Sequence, residues 1–119
     1  MRLMLIAAVF LVGLTNSSST NCSVGFFKFY FKFDSQATMH ADSGKLCPFH
    51  FTAPDLEEAR IVRQPQHGAA TYSGSIEHVM IDYKSAAGYK GTDQFVFSVT
   101  GGSPKNNGTA NVAVDADVQ

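Results

Sequence analysis

The sequence predicts an all-β domain, a two-layer sandwich of seven short strands. Three observations carry that expectation. Short stretches alternate apolar with polar side chains, as a strand does when one face is buried and the other is wet. Clusters of turn formers separate these stretches at regular intervals, and no window sustains a 3.6-residue period long enough for a helix. The clearest alternation is at residues 94–99, where Phe95, Phe97 and Val99 point one way and Gln94, Val96 and Ser98 the other. A compact corner leads into it: Gly88, Tyr89, Lys90 and Gly91, then Thr92 and Asp93. Glycine takes positive φ there without steric cost, and the short Asp93 carboxylate is placed to accept backbone N–H groups of a turn. The corner reading makes Gly91→Val less tolerable than Gly102→Val.

The chain opens with Arg2, an apolar run at residues 3–14 and a polar, small-residue tract at 15–20. That order is the n-, h- and c-region order of a secretory signal peptide, and the run falls short of the roughly 20 residues a spanning helix needs. The expected organisation is therefore a signal peptide at 1–20 and one domain at 21–119, periplasmic or extracellular. Without Arg2, 8 basic residues face 10 acidic ones. This mildly acidic balance offers no basic stripe for nucleic acid, and removal of the signal leaves nothing to insert into a membrane.

Strands are expected at residues 26–33, 46–52, 60–64, 69–73, 76–83, 94–100 and 109–118. The first, FFKFYFKF, sets Phe27, Phe29, Phe31 and Phe33 against Lys28, Tyr30 and Lys32, and reads as a lysine-bearing strand near a sheet edge. Residues 34–45 read as a polar loop or a short extra strand. Pro48 has no N–H to give a ladder, so the strand at 46–52 should turn it away from a partner. Residues 56–59 allow one helical turn at most. Pro65, Gln66, His67 and Gly68 form a turn, and residues 101–108 a flexible loop rich in turn formers.

Cys22 and Cys47 are the only cysteines. In an exported chain such a pair reads as a disulfide, and closing a loop of about 26 residues stabilises by roughly 3.5 kcal/mol in the chain-entropy account. Lipidation of Cys22 is the alternative. The pair lacks the C-x-x-C spacing of redox and metal sites.

Three blocks resemble bacterial cadherin-like and Ig-like repeat modules. Residues 61–69, with Pro65, His67 and Gly68, are similar to the P-x-H-G turn of those modules. Residues 81–85 and 88–95, with Gly88, Tyr89, Gly91, Asp93 and Phe95, resemble their Y-x-P…G-Y-x-G-x-D-x-F block, Ser85 standing where proline is usual. Residues 109–114 resemble the closing strand. The resemblance covers about residues 59–118 and implies an Ig-like seven-stranded antiparallel β-sandwich. Such modules usually occur in tandem, whereas this chain holds one copy. It has no tryptophan, and its cysteines stand too close in sequence for the inter-sheet bridge of antibody-type domains.

The function expected from these features is a non-enzymatic exported domain of the bacterial envelope that binds a protein or a glycan, with no cofactor. The alternative is a small periplasmic metal-binding protein using His40, His50 or His78. Neither these three nor His67 falls in a recognised ligand spacing. Asp93, Asp115 and Asp117 are too few for calcium, which takes six or more oxygens. No glycine pattern frames a serine nucleophile, and Glu57 and Glu58 read as solvated. Asn21 and Asn107 each open a glycosylation sequon, which in a bacterial chain reads as coincidence.

Overall fold

The computed structural model describes residues 21–75 and 77–119. The expected signal peptide and the start of a strand at Ile76 lie outside them. The described residues form eight strands: β1 (Cys22–Val24), β2 (Ser35–Ala41), β3 (Leu46–Thr52), β4 (Leu56–Arg63), β5 (Gly68–Tyr72), β6 (His78–Ser85), β7 (Gly91–Gly101) and β8 (Gly108–Val118). They make a five-stranded sheet in the order β1-β2-β8-β7-β4 and a three-stranded sheet in the order β3-β6-β5. The two sheets pack as a sandwich, and the Cys22–Cys47 disulfide ties β1 of one to β3 of the other.

The core is what the alternation demands. Phe95, Phe97 and Val99 of β7 lie beside Val112, Val114, Ala116 and Val118 of β8 and Ala37, Met39 and Ala41 of β2. Facing them are Cys47 and Phe49 of β3, Val79, Ile81 and Tyr83 of β6, and Ala70 of β5. Burying one such side chain contributes roughly 1.5–3 kcal/mol, so the period-two pattern fixes the register on both faces. β3 is an edge strand, which is why Pro48 fits inside it. The free edge of β5 is blunted by Gln64, whose amide occupies the place of a missing strand. Its Nε2 donates to the Ala70 carbonyl at 2.8 Å, and its Oε1 accepts from the Ala70 N–H at 2.9 Å.

Four expectations need correction. There are eight strands rather than seven, and the sheet is mixed, because β2 runs parallel to β8 from Ser35↔Val112 to Ala41↔Val118. Residues 26–33 do not form a strand; apart from a Tyr30↔Phe33 bridge they are irregular, and the place beside β8 is taken by β2. Residues 56–59, expected to give at most a helical turn, begin β4. Its bulges at Leu56/Glu58 and Ile61/Arg63 break the alternation by which a strand is read. The glycine ranking is also reversed. At Gly91 (φ 134°) an added Cβ would lie 3.1 Å from the Tyr89 hydroxyl, the far end of a side chain. At Gly102 (φ 113°) it would run into the backbone of Asn106 and Asn107, which cannot give way. Gly102→Val is therefore expected to unfold at lower temperature than Gly91→Val, and the opposite order in thermal melts would refute this account of the hairpin.

Candidate functional site

At one end of the sandwich the turn and the corner form a single knot. Asp93, near the start of β7, is 7% exposed. Its Oδ1 accepts from the N–H groups of Gln66 at 3.0 Å and Gln94 at 3.1 Å. The His67 N–H reaches both carboxylate oxygens, at 3.3 and 3.2 Å. Oδ2 accepts from the Tyr83 hydroxyl at 2.7 Å. Pro65 is buried beneath this turn, Gly68 opens β5 opposite Ser85, and Phe95 stacks on Tyr83 with centroids 5.7 Å apart. The rings of His67 and Tyr89 lie parallel at 4.1 Å, and the Tyr89 hydroxyl donates to the Thr92 carbonyl. Gly88 (φ 88°) sits in the turn closed by the Tyr89 N–H on the Ala86 carbonyl. The alternation at residues 76–83 turns Tyr83 inward, but sequence reasoning does not pair its hydroxyl with Asp93. An inward tyrosine on a strand needs a partner for its hydroxyl, and that need was the available signal.

Burial, reinforced by the hydrogen bond and charge of Asp93, pushes the Tyr83 phenol well above its ordinary value of 10.0. A pKa raised on folding contributes stability that is whole below the unfolded value and is lost as pH rises beyond it. Wild-type stability should therefore fall progressively above pH 10. Tyr83→Phe should be about 1–2 kcal/mol less stable at neutral pH, since Asp93 loses a donor, and should show a flatter alkaline limb. Equal alkaline slopes in urea denaturation series would remove Tyr83 from this role.

A polar cleft of about 930 Å³ lies over the knot, lined by Arg63, Gln66, His67, Tyr89, Gln94 and Asp115 among others. Arg63 donates to Gln94, which donates to Asp115 at 2.7 Å. Arg63, Gln94 and Asp115 are thus already tied to one another. The remaining histidines stand elsewhere. His40 is 3.4 Å from Asp117, His50 is 3.5 Å from Asp82, and His78 begins β6. Among the described residues no three His, Cys, Asp or Glu side chains come together in a way that could hold a metal ion.

The other end of the sandwich carries an open aromatic groove of about 640 Å³. It is built by the irregular segment 25–34. Phe27 packs edge-on against Phe49 and Phe51, with centroids 5.4 and 5.3 Å away, Phe29 lies 5.5 Å from Phe51, and Phe31 lies 4.9 Å from Phe29. Phe49 and Phe51 continue this chain of rings to Phe97 in the core. The segment then turns: the Phe33 N–H bonds the Tyr30 carbonyl, with Lys32 at φ 85°. That conformation costs a non-glycine residue roughly 1–2 kcal/mol. It leaves Tyr30 58% and Phe33 64% exposed at the groove. The opposite wall holds Asp55, also left-handed at φ 66°, with Ser103 and Asn106 of the β7–β8 hairpin. Among the described residues only three non-glycine residues have positive φ; Asp55 lines this groove, and Lys32 lies between Phe31 and Phe33, which line it.

Fold and site together define a disulfide-bonded two-sheet β-sandwich with an aromatic groove at one end. No protein-family model matches the chain, and no curated protein matches it.

Proposed function

We propose that this is a non-enzymatic, exported Ig-like domain of the bacterial envelope that acts as an interaction module, holding its partner in the aromatic groove. The observation that carries the reading is the groove itself: rings exposed to water and anchored through Phe49 and Phe51 to the core. Large solvated aromatics on a rigid support are the usual anchors of recognition surfaces.

Ig-like topology is supported by the strand order. Counting from β2, seven strands divide into β2-β8-β7-β4 and β3-β6-β5, the arrangement of an Ig-like sandwich whose first strand pairs with its last. Export is supported by the disulfide, which persists in oxidising compartments. Among the described residues no helix is long and apolar enough to cross a membrane.

The test is a pull-down from envelope and culture-medium fractions with the oxidised domain, read by mass spectrometry. Wild type should enrich a single macromolecule, and Tyr30→Ala with Phe33→Ala should lose it while keeping the wild-type melting temperature. Capture that is indifferent to both changes would place the binding surface elsewhere.

A further inference from the structure

We propose that the groove receives the cationic head of an arginine or lysine side chain on a partner polypeptide. The inference rests on the interaction reading and names its ligand chemistry.

The lining decides the sign of the charge. Six aromatic side chains line the groove: Phe27, Phe29, Tyr30, Phe31, Phe33 and Phe51. The one charged side chain among the lining residues is the exposed carboxylate of Asp55; Thr52, Ser103 and Asn106 are neutral. Lys28, Lys32 and Lys105 belong to the same segments, but none of them lines the groove. Aromatic faces carry the negative end of the ring quadrupole, so rings and carboxylate act with the same sign. A cation gains from both, an anion is repelled by both, and a neutral apolar group gains from area alone.

The shape favours a side chain over a small quaternary ammonium ion. The rings are spread along segment 25–34 and β3 at differing tilts: Phe27 and Phe29 lie at 28° to each other, Phe29 and Phe31 at 79°, and Phe27 and Phe51 of β3 at 65°. That arrangement makes a floor with an open top instead of a box closed around one centre. A guanidinium lies flat on such a ring and is weakly hydrated, while the methylene stem of arginine or lysine covers apolar floor. Ser103 and Asn106 are then at hand for the backbone amides on either side of that stem.

The test is a titration of ¹⁵N-labelled, oxidised protein from Asn21 to Gln119, the span that forms both sheets, the core and the disulfide among its own residues. The probe is acetyl-Gly-Arg-Gly-amide, and its comparison is the same peptide with uncharged citrulline. The arginine peptide should shift the amides of residues 29–33, 55, 103, 105 and 106. The citrulline peptide should bind about two- to fivefold more weakly, the factor an exposed cation–π contact supplies. Asp55→Asn, chosen because asparagine also accepts the left-handed conformation, should weaken the arginine peptide alone.

Equal binding of the two peptides, or shifts outside the groove, would overturn the proposal. Tetramethylammonium binding more tightly than the arginine peptide would overturn the polypeptide source. Silence from every cation would overturn the charge argument. The wider reading fails separately: a partner captured by wild type and lost with Phe33→Ala would still mark the groove as the interaction site.

Discussion

Asp93→Ala is expected to lower the unfolding free energy by about 3–4 kcal/mol, a large share of what holds a domain of this size together. Four donors converge on that carboxylate: the N–H groups of Gln66, His67 and Gln94 and the hydroxyl of Tyr83. An orphaned buried donor costs about 1–3 kcal/mol, and the Tyr83 hydroxyl, on a residue of 0% exposure, has no water to fall back on. The three amides are partly accessible and recover some of their loss. For a domain of this size the change corresponds to a melting point lower by roughly 15–20 °C. Asp93→Asn keeps an acceptor for the amides and should lose about half as much. A loss below about 1 kcal/mol for alanine, measured by urea denaturation at pH 7, would mean that turn and corner hold without the carboxylate.

Reduction of the disulfide, or replacement of Cys22 and Cys47 by alanine, should cost about 3–3.5 kcal/mol. The bridge closes a loop of sequence separation 25, and little else secures its first strand. β1 makes only three register pairs with β2, at Cys22, Ser23 and Val24. Segment 25–34 is then held by ring packing and by two hydrogen bonds at its ends, Gly25 N–H to the Thr38 carbonyl and Asn111 N–H to the Asp34 carboxylate, so limited proteolysis of the reduced protein should cut first within residues 21–34. Unchanged denaturation midpoints with and without reductant would show that these contacts suffice.

The strand at residues 94–100 is legible because its alternation is strict and its inward residues are large; it emerges as the centre of β7. The strand at 46–52 is legible for the same reason, and β3 has those bounds. β2 is harder to see. Its inward residues are Ala37, Met39 and Ala41, small or flexible, and they alternate as regularly as any but without hydrophobic weight. The segment at 26–33 shows the opposite failure. Its phenylalanines alternate strongly, and Phe27, Phe29 and Phe31 do turn inward, yet alternation reports faces and says nothing of a hydrogen-bonding neighbour. Phe33 leaves the pattern because Lys32 adopts positive φ one residue earlier, a choice no periodicity reveals.

The candidate site divides in the same way. Asp93, His67 and Tyr89 can each be picked out as turn residues, but their meeting across more than twenty residues is set by the register of β5, β6 and β7. The groove is composed of residues that sequence reasoning places in two strands and in two unrelated loops, so only the folded chain brings them together.

β1 has a consequence for how the molecule can be held. It runs antiparallel to β2, pairing Cys22 with Ala41, and β2 runs parallel to β8, pairing Ala41 with Val118. Asn21 and Gln119 therefore stand at one pole, a few strand spacings apart, while the groove lies by the β7–β8 hairpin at the other. The ten residue steps of β8 separate the two poles by about 33 Å. Without this short first strand, the chain would enter at β2, on the side of the groove. With it, any anchor joined before Asn21 or after Gln119 sits behind the domain like the handle of a torch, and the aromatic face points away from it.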